Sequence, residues 1–461
     1  MRYLLFVLVV VAGWLSACRQ DRFMANADIE LRFETDSVLF DTVFTTVGTI
    51  TKRFKVFNPT NQNISIDEIF LGGRRATGTS NYRLNINGLP QNDARNVQLP
   101  KGDSLYIFVE ATIDPNSALT PYLVVDSVMF RSGNKTGKVN LTAFGQNAHF
   151  VGNEFLPCDT VWTDLLPIVV YQSVAIDSLC KLTIQAGTRI YFAKNASLFV
   201  LGTLEVNGTS NNPVEFRGDR LDPFYNELSG SWSGIRFLRG SINNVINYAN
   251  IRNGTVGIQV DSLPVSGTAP NLLLRNTTID NFAIAGLVGF TAHIEADNVL
   301  ISECGRFNVY GDVGGTYNFR HCTLASYGFN FSRSTPVVFL SNTGSSSGMR
   351  YSLSASFRNS IIYGNRREEM VLDTFPGLPL EVAFRHNMLR TERPNDIGIN
   401  NLYNADPRFK NAITGDYSID TLSMASRFGE NLIPFFPQLA TDLEGKPRGN
   451  PPTVGALERT E

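Results

Sequence analysis

The chain is poor in charge and poorer in histidine. Only 18% of its 461 residues are charged, and 40 basic against 42 acidic residues leave a net charge of −2. That balance carries no electrostatic footprint for nucleic acid, and excludes a general nucleic-acid binder. The four histidines and five cysteines form no cluster at metal-ligand spacing, and no Cys-x-x-Cys pair occurs. No metal site and no cofactor are therefore expected. The apolar run from Tyr3 to Trp14 is too short to span a bilayer comfortably. Beyond it, no amphipathic stretch of helical period has useful length. What is plentiful is glycine, proline, aromatic and β-branched residues, with 43% hydrophobic content to build real cores. The composition reads as all-β.

From Asp28 to about Ala148 short strands alternate with turns. Ile29–Phe33, Phe40–Phe44, Lys52–Phe57, Ile64–Phe70, Leu105–Ala111, Ser127–Phe130 and Lys138–Phe144 are separated by signals such as Asn58-Pro59, Gly72-Gly73 and Asp114-Pro115. Strands at this spacing predict a sandwich of immunoglobulin type. After Cys158 the strands shorten and a repeat emerges. Leu274–Ile279, Ala296–Ile301, Phe319–Leu324, Phe357–Ile362 and Phe384–Leu389 align, with their last positions 22, 23, 38 and 27 residues apart. The Gly344–Gly348 stretch absorbs the excess of the long step. A period near 22 with asparagine-rich turns predicts a parallel β-helix whose coils stack about 4.8 Å apart. The third repeat position holds Asn276, Asn298, His321, Asn359 and His386, and is expected at a bend of left-handed backbone.

Arg2, the apolar run and Leu15-Ser16-Ala17-Cys18 form a secretory signal whose cut site resembles a bacterial lipobox. The resemblance implies cleavage after residue 17, lipidation of Cys18 and a tether over 18–27. Phe54–Thr60 with Pro100–Ser104 resembles the Ig-like modules of bacterial surface proteins. Leu182–Thr188, Gly202–Gly208 and Gly230–Ile235 are similar to the coils of pectin-lyase-like right-handed parallel β-helix proteins, above all the β-helix lipoproteins of Bacteroidetes. The expected organisation is a β-sandwich over 28–148, a single-chain parallel β-helix over 149–394 and a tail over 395–461 that caps the end of the helix. The place is the cell envelope, with the outer membrane as anchor on its periplasmic face or at the cell surface. The triplet Asp-Ser/Thr-aliphatic resembles the O-glycosylation site of exported Bacteroidetes proteins. It places candidate glycans on Ser37, Thr42, Ser104, Ser127, Thr160, Ser178, Ser262 and Thr421. The same triplet also suits strands that begin after turns.

Chemistry is less legible. No paired aspartates and no calcium-type acidic cluster stand out, so no catalytic residue is named. The best class is a glycan- or envelope-polymer-binding or structural protein. The alternative is a polysaccharide lyase or glycoside hydrolase, since this fold hosts both. Two features are candidates for a polymer. The second repeat position lines up Arg275, Asp297, Arg320, Arg358 and Arg385, expected outward as a mostly basic column that is either a solvated stripe of ion pairs with Asp297 and nearby acids such as Asp280 and Glu303, or a site for an acidic polysaccharide. The loop Gly218–Tyr225 offers Phe224 and Tyr225 beside Asp222 to stack a sugar, or simply packs on the coil side. Cys158 and Cys180 are placed to pair and to pin the first coil to the N-terminal module, while Cys304 and Cys322 are expected free and buried.

Overall fold

The computed structural model describes residues 22–261, 269–329, 331–344, 348–393 and 398–459. Cys18, Ser262 and the signal segment 1–17 lie outside the described residues. The fold is nearly all β, in two units, Met1–Asn147 and Ala148–Glu461.

The first unit is built from two five-stranded sheets. One orders Arg32–Phe33, Lys52–Phe57, Ser104–Ala111, Tyr82–Ile86 and Leu89–Pro90, all antiparallel. The other orders Ser37–Phe44, Lys135–Gln146, Tyr122–Ser132, Ile64–Leu71 and Asp93–Leu99, with its first pair parallel and the rest antiparallel. Period-2 alternation sends Phe54 and Val56 of one sheet, and Phe130 and Val128 of the other, into a shared core. The Phe54 and Phe130 rings meet edge to face at 6.3 Å. Two local expectations fail. Gly72-Gly73, read as a plain turn, opens a six-residue helix, Gly72–Thr77, because the Asp126 carboxylate accepts the Gly73 N–H at 2.6 Å. Residues 82–99 hold three strands that the pattern above leaves out.

The second unit winds through three columns of parallel strands, a nearly closed arrangement compatible with a β-helix-type fold. The first column starts at His149–Val151 and ends at Leu402–Tyr403; the second runs from Glu154–Leu156 to Met370–Asp373; the third runs from Thr160–Trp162 to Leu380–Arg385. One rung shows the order: Val214–Gly218, then Gly234–Phe237, then Asn244–Asn247. In two rungs the second and third columns are a single bent strand, Ala285–Asp297 and Phe307–Arg320. The residues that open and close each repeat are all buried. Phe319, Phe357 and Phe384 stack ring on ring at 4.9 and 5.0 Å.

The bends follow the asparagine pattern. Asn276, Asn298, His321, Asn359 and His386 have φ of 46°, 55°, 51°, 52° and 52°. Their side chains form a ladder: Asn276 donates to Asn247 Oδ1 at 2.9 Å and Asn298 to Asn276 Oδ1 at 3.0 Å. Asn359 Nδ2 lies 2.9 Å from His321 Nε2. These bonds replace water for amides that the coil stack buries.

The tail does something other than cap the end. Leu402–Tyr403 adds one last strand, and the chain then doubles back along the flank of the winding. Phe428 O meets His386, Glu430 meets Arg358 and Asn359, Phe436 covers Arg320, Gln438 bonds Asp297, and Thr441 O takes Asn298. This strap is locked by Arg448, wholly buried, whose Nη2 donates to Asn298 Oδ1 at 2.7 Å and to the Gly455 and Ala456 carbonyls at 3.1 Å each.

Candidate functional site

The arginine column exists in register but not as an open basic surface. Arg275 stands opposite Asp297, Asp297 opposite Arg320, Arg320 opposite Arg358, and Arg358 opposite Arg385. Arg320 is only 7% exposed. Its Nε reaches Asp297 at 2.5 Å, its Nη2 reaches Glu295 at 2.6 Å, and the Phe436 ring lies over it at 4.3 Å. The expectation of a solvent-facing Arg320 is therefore corrected: strand parity does send it outward, and the strap then covers it. Arg358 pairs with Glu430 of the same strap, and Arg275 faces Asp297 at 3.7 Å. Arg385 stays exposed. The Glu295 carboxyl is held down at about 2 by His293 and Arg320. His293 is 3.6 Å away, beyond a good hydrogen bond, so the shorter arginine contact dominates.

A different pair of arginines meets the conditions set for that column. Val214–Gly218 and Ala249–Arg252 are adjacent strands of the first column, with Phe216 opposite Ile251. The next residue on each strand, Arg217 and Arg252, therefore points outward one rung apart. The Nε of both is buried without a hydrogen-bond partner. Among the described residues neither guanidinium forms an ion pair with a carboxylate. Burial first, and then the neighbouring Arg252, push the Arg217 guanidinium below its usual range. Asp280 stands opposite Arg252 on the next rung and offsets part of the like-charge repulsion, which an anion bridging the two arginines would relieve further.

The loop after Arg217 folds over this pair. It contains the short 3-10 turn Pro223–Glu227. Arg217 Nη2 donates to Asn226 Oδ1 at 2.7 Å. The bend residues Asn253 and Asn281 donate to the Asn226 and Glu227 carbonyls at 2.9 and 3.1 Å. The loop thus packs on the coil side and also presents Phe224, 75% exposed. Phe224 meets Tyr225 edge to face at 5.3 Å, and Arg220 lies 5.2 Å from the Tyr225 ring and 3.9 Å from Asp222. Trp232, where the chain rejoins the winding, stacks on Phe192 at 4.3 Å and donates to the Arg252 carbonyl. Two carboxyls border the arginines. Burial pushes both Asp219 and Asp280 up, with Arg220 and Arg252 respectively working against it.

Other expected residues fall elsewhere. Cys158 and Cys180 form a disulfide with Cα atoms 4.6 Å apart. It joins the first rung to the second, since Cys158 precedes Thr160–Trp162 and Cys180 precedes Lys181–Gln185; it does not pin the first coil to the N-terminal module. Cys304 and Cys322 are buried thiols, and burial raises Cys322 to about 12. Ser37, Ser178 and Thr421 are exposed, while Thr42, Ser104, Ser127 and Thr160 are half-buried. In four triplets the aspartate accepts the next residue's N–H, at 2.8 Å for Thr42 and 2.7 Å for Ser104, Ser127 and Ser178. The third residue is buried in Val38, Val43, Leu105 and Val128 but exposed in Val161, Leu179 and Leu422. Among the described residues no three metal-ligating side chains cluster, and no helix is long and apolar enough to cross a membrane.

No family model matches the chain, and no curated protein matches it. Among solved structures, a family 123 glycoside hydrolase from Clostridium perfringens, described for glycolipid glycan hydrolysis, aligns over 26% of this chain and 26% of its own length. The identity is 7% and the TM-score 0.18, too low to carry an argument.

Proposed function

We propose that this is a lipid-anchored envelope protein in which an Ig-like module carries a right-handed parallel β-helix that binds an acidic glycan. One observation supports the reading above the rest: two neighbouring outward arginines, each with a buried Nε that has no hydrogen-bond partner, beneath a loop that exposes an aromatic ring. Guanidinium forks match the carboxylate of a uronate or a sulfate ester, and the Phe224 face suits the apolar side of a sugar. Arg217→Gln and Arg252→Gln should each weaken retention of the full chain on immobilised polygalacturonate or heparin about tenfold, the worth of one charged hydrogen bond. Unchanged retention in both variants would remove the reading. The alternative, a lyase or hydrolase at the same place, is favoured by the raised carboxyls of Asp219 and Asp280, which suit a general acid. New reducing ends or unsaturated products from those polymers would establish it.

The anchor rests on Cys18 after Leu-Ser-Ala. Cys18→Ser should move the protein from the membrane to the soluble fraction of the host envelope; unaltered fractionation would exclude lipidation. Of the candidate glycan sites, Ser178 and Thr421 are exposed and sit in triplets whose aliphatic residue is exposed too, and half-buried Thr160 is followed by exposed Val161, so a modifying enzyme could reach them on the folded chain. Excess intact mass mapping to those peptides is the expected signature.

A further inference from the structure

The strap and the flank of the winding do not touch everywhere. They part to leave a cleft of about 480 Å³. The winding contributes Tyr248, Asn250, Asn276 and Thr278; the strap contributes Asp416 and Glu444. We propose that this cleft is a second binding site, for a neutral sugar unit, separate from the Arg217–Arg252 face.

Three observations lead there. The size is that of a pocket for one or two sugar rings. The lining sets hydroxyls, amides and two carboxylates beside Tyr248, Tyr417 and an apolar patch of leucines, with no basic residue, so an anionic ligand is disfavoured while a neutral sugar finds donors and acceptors for its hydroxyls and apolar surface for its ring face. Asn276 and Asn250 are themselves held by neighbours, Asn276 on Asn247 at 2.9 Å and Asn250 on Glu215 at 2.6 Å, so their remaining valences are pre-oriented.

To these three Tyr248 adds a fourth. It has φ of 50° at the rung before Asn276, in the bend position that later rungs give to asparagine or histidine. A bulky aromatic residue is a poor choice for left-handed backbone, where asparagine is at ease. The structure accepts that unfavourable conformation and gains an aromatic ring in the wall of the cleft. Val313 and Leu179 carry the same kind of strain elsewhere in the winding, so it is the coincidence of strain with the cleft wall at Tyr248 that counts.

The conflict supplies the test. Tyr248→Asn installs the residue that the bend prefers and removes the ring. Saturation-transfer NMR on the full chain would use D-glucose, D-galactose and N-acetyl-D-glucosamine as probes. At least one should receive saturation from the wild type, and the signal should fall at least fivefold in both Tyr248→Asn and Asp416→Asn. The thermal midpoint of Tyr248→Asn should stay level or rise, and its retention on acidic glycan should not change. No transfer to any probe, or equal transfer in both variants, would overturn the proposal. So would a midpoint several degrees lower in Tyr248→Asn, which would make the ring a packing element.

Discussion

Glu369→Ala is expected to lower the stability of the second unit by about 3–5 kcal/mol, read as a shift of the urea unfolding curve. Glu369 and Arg333 form a fork with Nη2–Oε1 at 2.6 Å and Nη1–Oε2 at 2.7 Å, and both side chains are fully buried. The same carboxylate accepts the Val337 N–H at 3.0 Å and the Arg366 N–H at 2.8 Å. Truncation therefore strands a buried cation and two backbone donors together. Glu369→Gln keeps an oxygen for the backbone and should cost less than the alanine. Arg333→Met should fall between them, because the carboxylate left behind still holds two N–H groups. Equal losses in all three variants would mean that the pair matters only as packed volume.

The second large effect belongs to the strap. Arg448→Met should release residues 405–459 from the flank while the winding stays intact. Arg448 ties the strap to the asparagine ladder through Asn298 and, through the Gly455 and Ala456 carbonyls, ties the end of the strap to itself. Burial pulls its guanidinium down to about 10 despite Glu458 and Asp442. Removing it orphans those acceptors and leaves Glu458 buried beside Thr453, at a cost of about 3–5 kcal/mol. Limited proteolysis should then cut within 405–459 at least ten times faster than in the wild type. Arg358→Gln breaks a half-exposed pair with Glu430 and should change that rate little. A strap equally protected in Arg448→Met would show that the apolar contacts of Tyr417, Ile419 and Val454 hold it unaided.

The period of the winding was legible because two demands coincide in each repeat. Leu274 and Ile279 must go inward, and the residue between strands must accept positive φ, which asparagine advertises. The Arg217–Arg252 pair was legible by the same parity rule applied to the other arginines, since each follows an inward residue, Phe216 or Ile251. The repeat alignment begins only at Leu274, so the rungs of Arg217 and Arg252 lie outside it. The hairpin at 82–90 also carried its signal: Asn87-Gly88, with φ of 52° and 90°, is the turn that two-residue hairpins favour. The strap was not legible. Its partners lie 71 residues apart for Glu430 and Asn359, and 150 apart for Arg448 and Asn298, and no local pattern encodes such pairings. The burial of Arg320 follows from the strap, so it was hidden for the same reason.

A chain that returns along its own winding also works as a gauge. From Phe428 to Thr441 the strap meets His386, Asn359, Arg320 and then Asn298, one after another in reverse order of synthesis. Stacked coils of similar sequence are prone to slip by one repeat, and nearest-neighbour contacts alone penalise a slip weakly. The strap compares distant rungs at once. A coil skipped or doubled between Asn298 and His386 would displace its contacts by about 4.8 Å and leave Arg448 without its amide. Docking can therefore complete only when every intervening coil is in place, so the returning segment inspects the assembly of the coils before it.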